Sequence, residues 1–151
     1  MDNADLQQIL DDWTGWSVQI SDTVPRGLVD RCVLTPEVVT VIQGVRRCGK
    51  STLLRQLMVA NNIAEKQAVF INFEDPRLLN QLDTTLLDKL YALATEGNRK
   101  RLTFFLDEIQ NVVNWQRWLN TRLEMKSGHC FVVTGSNSQL LGGELASSLT
   151  G

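Results

Sequence analysis

The stretch VVTVIQGVRRCGKST, residues 38–52, decides the fold of this chain. Its first five residues form an apolar, β-branched run that ends at a glycine turn, which predicts a short buried strand of a parallel sheet. The turn that follows places two glycines, three cations and two hydroxyls in nine residues. Glycine lets backbone N–H groups converge and the cations add positive charge, so the turn is suited to binding a cluster of negative charge.

The turn contains the Walker A pattern Gly-x-x-x-x-Gly-Lys-Ser, with a predicted strand before it and a predicted helix after it. In this pattern backbone N–H groups and the helix N-terminus bind phosphate, the lysine reaches the β- and γ-phosphates, and the serine hydroxyl binds Mg²⁺. We therefore predict Lys50 as a catalytic residue and Ser51 as a metal ligand. The predicted nucleotide-binding residues are Gly44, Val45, Arg46, Arg47, Cys48, Gly49, Lys50, Ser51 and Thr52. For the two arginines, the sequence leaves open whether they contact phosphate or a neighbouring subunit, or are solvated loop residues.

Further apolar runs alternate with helical patterns along the rest of the chain. The predicted strands after the first are 68–73, 102–106 and 130–134, and the predicted helices between and after them are 51–60, 84–94, 114–126 and 138–149. This alternation predicts right-handed crossovers and a mainly parallel sheet covered by helices on both faces. The expected fold is therefore a three-layer α/β nucleotide-binding core, with its chemistry at the carboxyl ends of the strands.

Two carboxylates follow the predicted strand LTFFL, and they form a Walker B arrangement. Carboxylates at the end of a buried strand are costly unless they face a cation or water. Asp107 is predicted to hold Mg²⁺, and Glu108 to orient and polarise an attacking water as general base. A pair of ordinary turn carboxylates is the alternative, which the preceding phosphate loop disfavours. Because a glutamate at this position favours water as the nucleophile, the sequence predicts hydrolysis of the nucleotide and not phosphorylation of a metabolite.

Polar residues also follow the other two strands. Asn137 comes shortly after the fourth strand and is predicted to act as a catalytic sensor that touches the γ-phosphate or the attacking water, with a helix cap as the alternative. Asn72 and Glu74 end the second strand, where one of them is a candidate for restraining Glu108. Ordinary strand-end polarity is the alternative for that pair.

Composition limits the location and the partners. The 151 residues contain 15 Lys plus Arg against 17 Asp plus Glu, a net charge of -2, which disfavours non-specific nucleic-acid binding. The three cysteines lack metal-ligand spacing, and we find neither a basic leader nor a long apolar run. These features predict a cytoplasmic protein that does not contact a membrane. Trp115 and Trp118 are expected in the core, and the single histidine, His129, at the surface.

The N-terminal part reads as a separate unit. Its apolar residues lie at helical spacing and predict a short amphipathic helix followed by an irregular stretch; they are Leu6, Ile9, Leu10 and Trp13. We therefore assign residues 1–24 to an N-terminal helix and extension, and residues 25–151 to a core of the P-loop ATPase type.

Four blocks of the chain resemble the bacterial and archaeal AAA-like ATP-binding proteins, which have an N-terminal ATPase domain and a C-terminal domain of unknown function. The blocks are VIQGVRRCGKSTLLRQL, INFEDPR, FFLDEIQNVVNWQRWL and VVTGSNSQLLGGELASSLTG. The resemblance implies that Lys50 and Ser51 bind ATP and Mg²⁺, that Asp107 and Glu108 act as Walker B, and that TGSN supplies the sensor. It also implies a preference for adenine, and DNA association by family analogy only.

The resemblance further implies a core sheet in the order 5-1-4-3-2. In the family, LTG is followed by an arginine and another strand, so we expect the last strand to be missing here and the core to be incomplete at its C-terminus. A protein partner or self-association would then supply the arginine that stabilises transition-state charge. Two functional hypotheses follow, a Mg²⁺-dependent ATPase and a nucleotide-dependent switch or interaction module with little hydrolysis.

Overall fold

The computed structural model describes residues 2–19, 36, 39–43, 57, 58, 61, 63, 67–97, 101–135 and 147–150. Within these ranges the strands are β1 (Val39–Gln43), β2 (Ala68–Asn72), β3 (Thr103–Asp107), β4 (Cys130–Gly135) and β5 (Ser147–Thr150). The α-helices are α1 (Asn3–Gln19), α2 (Thr84–Thr95) and α3 (Trp115–Glu124). Short 3-10 turns follow β2 and β3, at Pro76–Leu78 and Ile109–Asn111.

The strands form one parallel sheet. Its order is β2-β3-β4-β1-β5, and each neighbouring pair runs parallel. This confirms the predicted α/β class and the order 5-1-4-3-2. Because the strands are parallel, their carboxyl ends share one edge of the sheet, where Asn72 pairs with Asp107 and Ile42 pairs with Thr134.

The fifth strand is present, so the expectation that it would be missing was wrong. β5 pairs with β1 from Thr40 and Ser147 to Gln43 and Thr150. The helix predicted over 138–149 is wrong for its last three residues, which belong to this strand. An unpaired edge of β1 would leave backbone N–H and C=O groups without partners, and pairing with β5 satisfies them. β1, the strand before the Walker A sequence, is therefore paired on both sides.

Side chains alternate between the two faces of the sheet, and each face is covered. One face packs against α1, α2 and α3, and its strand residues in this cluster are Val39, Val41, Ile71, Phe104, Leu106, Phe131 and Val133. The other face packs against Leu57 and Met58, which are helical and fully buried. Its strand residues are Ile42, Ala68, Phe70, Phe105, Cys130 and Val132. Helices therefore lie on both faces, which confirms the three-layer architecture.

Local signals explain the helices on the first face. α2 begins where Asp83 caps it, with Oδ1 accepting the Leu86 N–H at 3.1 Å. Trp115 and Trp118 of α3 are buried as predicted. His129, which we expected at the surface, is partly exposed; its ring contacts Tyr91 and Phe104, and its Nδ1 accepts the Leu102 N–H at 3.0 Å. Burial also lowers the pKa of this histidine.

Helix α1 joins the same apolar cluster as the sheet. Its residues Leu6, Ile9 and Leu10 are each at most 4% exposed. Asp2 caps the helix, since its Oδ1 accepts the Asp5 N–H at 2.8 Å. The helix continues to Gln19, so residues 14–19, which we predicted to belong to the irregular stretch after a short helix, are helical. None of the helices in the described ranges is both long and apolar enough to cross a membrane.

A polar network fixes α1 to the loop after β2. Asp75 lies at its centre, 7% exposed, and accepts the Trp13 indole N–H at 2.9 Å. Arg77 donates to both oxygens of Asp75 and reaches across to Asp12 on α1 at 2.7 Å. The hydrogen bonds from Arg77 are the main cause that lowers the pKa of Asp75 to about 2.

This network predicts an acid-dependent contribution to stability. The folded-state pKa of Asp75 lies below its ordinary value of 3.8, so its contribution is fully present above that value and is lost as the pH falls towards 2. As the pH falls from 3.8 to 2, we expect the free energy of unfolding to decrease in both proteins, and by roughly 2 kcal/mol more in the parent than in Asp75→Asn. Urea unfolding at several pH values measures the difference. Parallel curves for the two proteins would contradict the prediction.

Candidate active site

The site is built from the carboxyl ends of β3 and β4. Asp107 ends β3 and Thr134 lies one residue before the end of β4. Both alternate onto the face that carries Ile42, Leu57 and Met58. The Thr134 hydroxyl donates a hydrogen bond to Oδ1 of Asp107. Strand register therefore brings these two side chains together on the face covered by the helical residues that follow the Walker A sequence.

Glu108 follows directly, and its backbone adopts the left-handed conformation. Its φ is 57° and its ψ is 46°, values that cost a non-glycine residue on the order of 1 kcal/mol or more. The residue is only 4% exposed. The turn therefore places a carboxyl-bearing side chain at the end of β3 through a backbone geometry that the surroundings must stabilise.

Thr134 supplies part of that stabilisation. Its hydroxyl oxygen accepts a hydrogen bond from the Glu108 N–H at 3.0 Å, while the same hydroxyl donates a hydrogen bond to Asp107. One side chain therefore serves two buried polar groups. Thr134 itself is fully buried. In the sequence analysis Thr134 entered only as the first residue of the TGSN block, and no contact with Asp107 or Glu108 was predicted for it. The signal in the sequence was a hydroxyl-bearing residue near the carboxyl end of an otherwise apolar strand, on the same face as Cys130 and Val132.

Two residues of the following 3-10 turn hold Glu108 as well, and the sequence analysis missed them too. Gln110 donates from Nε2 to Oε2 of Glu108 at 2.6 Å. Asn111 donates from Nδ2 to the Glu108 carbonyl at 3.0 Å. At the end of β2, the Asn72 side chain instead accepts the Glu74 N–H at 2.8 Å. The proximity of Gln110 to Glu108 follows from the shape of the turn, which the sequence did not reveal.

The Walker A residues 44–52 and the predicted sensor Asn137 lie outside the described residues. Gln43, the residue before Gly44, is the last residue of β1 and pairs with Gly135 of β4. The chain therefore reaches the start of the Walker A sequence at the same edge of the sheet as Asp107 and Glu108. The roles predicted for all these residues stay predictions.

Asp107 fits a magnesium ligand by its chemistry. Magnesium prefers oxygen ligands and is typically bound in nucleotide sites by one or two protein groups together with substrate phosphates and waters. Asp107 offers a carboxylate that is 3% exposed and oriented by Thr134 at the ligand-binding edge of the sheet. Its chemistry and position therefore fit the role of Mg²⁺ ligand that the sequence predicts for it and for Ser51.

Known proteins resemble this chain in sequence. A family model described as an AAA domain matches residues 37–151. An uncharacterized protein of Methanocaldococcus jannaschii is 42% identical over 118 residues, which cover 78% of this chain and 25% of that protein. An uncharacterized protein of Haemophilus influenzae is 36% identical over 116 residues, which cover 75% of this chain and 29% of that protein. The chain thus spans little more than a quarter of the length of these relatives.

A solved structure resembles the fold. Caenorhabditis elegans PCH-2 superposes with a TM-score of 0.51 at 13% identity, covering 98% of this chain and 42% of that chain. At this identity the likeness concerns the fold alone. The family match covers most of the chain, and its residues include all five strands of the sheet. The chain therefore belongs to the AAA domain family, whose members are nucleotide-binding, ATPase-like domains.

Proposed function

We propose that this chain binds ATP with Mg²⁺ at the carboxyl edge of its sheet and hydrolyses it with water as the nucleophile. The observation that carries the proposal is the arrangement of Asp107, Thr134 and Glu108, joined by hydrogen bonds at the edge where β1 leads into the Walker A sequence. Family membership supports the nucleotide as ligand.

Each residue has a distinct part in this proposal. Residues 44–52 cradle the phosphates, and Lys50 places a positive charge beside the β- and γ-phosphates. Ser51 and Asp107 would hold Mg²⁺, which when bound offsets the charge of the phosphates. Glu108 orients the attacking water and accepts its proton, and Asn137 contacts the γ-phosphate or that water.

Binding is tested first, because it does not require turnover. We expect the chain to bind a fluorescent ATP analogue with Mg²⁺ in the micromolar range. Lys50→Ala is expected to weaken binding roughly tenfold or more, because a direct charge-assisted contact to phosphate is lost. Fluorescence titration measures both constants. Lys89→Ala is the matched control, since Lys89 is an exposed lysine on α2.

Equal affinity of the parent and Lys50→Ala for the ATP analogue would contradict the proposed phosphate contact. The proposal would also be contradicted if both proteins were folded and neither of them bound the analogue. Binding without turnover would instead favour the second candidate, a nucleotide-dependent switch or interaction module.

The finer expectations on partners belong to this proposal as well. A protein partner or a second copy of the chain would supply the arginine that completes the site, and DNA association rests on family analogy alone. The cytoplasmic location rests on the cysteine usage and on the charge pattern of the N-terminus.

A further inference from the structure

The side chain of Gln110 donates a hydrogen bond to the side chain of Glu108, and the proposed function assigns no role to Gln110. The length of this hydrogen bond, 2.6 Å from Nε2 to Oε2, is short for an amide donor to a carboxylate oxygen. The two residues are separated by one position, with Gln110 in the 3-10 turn that begins after Glu108. The bond therefore ties the side chain of Glu108 to the turn that carries it.

The backbone of Glu108 is already held from two sides. Its N–H donates to Thr134 at 3.0 Å, and its carbonyl accepts from the side chain of Asn111 at 3.0 Å. These contacts fix the left-handed turn but leave the torsions of the glutamate side chain to be determined. A glutamate side chain has several rotatable bonds, and the contact with Gln110 restrains its far end.

A general base depends on this kind of restraint. Proton abstraction requires the carboxylate to lie within hydrogen-bond reach of the water, and small displacements lower the rate strongly. A neutral amide donor suits this restraint. It forms a hydrogen bond with the carboxylate without placing a positive charge beside it, which would form an ion pair with the group that has to accept a proton from water.

The sequence had directed attention to another pair. Asn72 and Glu74 at the end of β2 were candidates for contacting Glu108. In the structure the side-chain oxygen Oδ1 of Asn72 accepts the Glu74 N–H at 2.8 Å, so this side chain closes the turn after its own strand.

We propose that Gln110 is a positioning residue, which orients the carboxylate of Glu108 through the hydrogen bond from Nε2. The inference rests on the proposed function, in which Glu108 activates water. Gln110 acts through Glu108 and is assigned no contact with nucleotide.

The first test is a measurement of side-chain motion by NMR relaxation at Cγ of Glu108, made on the full chain without nucleotide. Gln110→Met keeps the length of the side chain and removes the donor. We expect the order parameter of Glu108 to fall in this variant. Gln7→Met is the matched control, since Gln7 also donates to a carboxylate, that of Asp11 at 2.9 Å, on the exposed face of α1. Gln110→Asn keeps an amide that is too short to reach and serves as the second variant should Gln110→Met not fold.

The second test is steady-state hydrolysis of ATP by the same proteins. We expect Gln110→Met to lower kcat about tenfold with KM for ATP unchanged, because orientation of the base and not binding is affected. An unchanged order parameter, or an unchanged kcat in a protein whose turnover depends on Glu108, would overturn the role of Gln110. Turnover that is absent, or that does not depend on Glu108, would refute the proposed function instead, while a loss of order in Gln110→Met would still establish the restraint.

Discussion

Glu108→Gln is expected to lower the rate of ATP hydrolysis at least about a hundredfold while leaving ATP affinity near that of the parent. The amide has almost the same size as the carboxylate and retains an oxygen that accepts the N–H of Gln110, so the local geometry is kept. What it loses is the capacity to accept a proton from water. Phosphate release at saturating ATP and Mg²⁺, combined with a binding titration, measures both effects.

The matched control for this variant is Glu124→Gln, which makes the same change at the exposed last residue of α3. It should retain the turnover of the parent. If Glu108→Gln hydrolysed ATP as fast as the parent, water activation by Glu108 would be wrong. If both released phosphate only at background rates while binding ATP, the switch hypothesis would gain instead.

Thr134→Val is expected to destabilise the fold by about 2 to 3 kcal/mol, the largest stability effect that we predict for a single substitution. Valine fills nearly the same volume but removes the hydroxyl that serves two buried groups, the carboxylate of Asp107 and the N–H of Glu108. Both would then lose a hydrogen bond in a fully buried setting. Urea unfolding followed by circular dichroism measures the change in free energy.

Thr103→Val provides the comparison. Thr103 begins β3 and is 5% exposed, and its hydroxyl forms no side-chain hydrogen bond within the described part of the chain. The same substitution should therefore change the stability by less than about 1 kcal/mol. Equal losses at both positions would show that the hydroxyl of Thr134 has no special part in holding the turn.

Much of the fold was predictable because its signals are local. The strands β1 to β4 are short apolar runs, and the cap at Asp83 precedes a regular helical pattern. β5 was missed because its signal is not local. The segment Ser147–Thr150 has little apolar character of its own, and it becomes a strand by pairing with the open side of β1. Such pairing depends on which edge of the sheet is available, which a window of sequence does not contain.

The candidate site was predictable to the same extent. An apolar strand followed by Asp107 and Glu108 located the carboxylates at the sheet edge from the sequence alone. The contacts that hold them were not predictable, since Thr134 and Asp107 lie on neighbouring strands but are 27 residues apart in the chain. Gln110 lies close in sequence, yet its contact depends on the positive φ of Glu108, for which the residue type gives no signal.

The positive φ of Glu108 lowers the stability of the fold at the residue whose carboxylate we assign to water activation. Asparagine and glycine adopt the left-handed region more readily than glutamate does. Random mutagenesis followed by selection for thermal tolerance would therefore tend to replace Glu108 with one of these residues, which relieves the backbone. Each such replacement also discards the carboxylate to which we assign water activation. Variants of this chain that survive heating best would thus be poor guides to its activity, and a screen for robust folds should hold residue 108 constant.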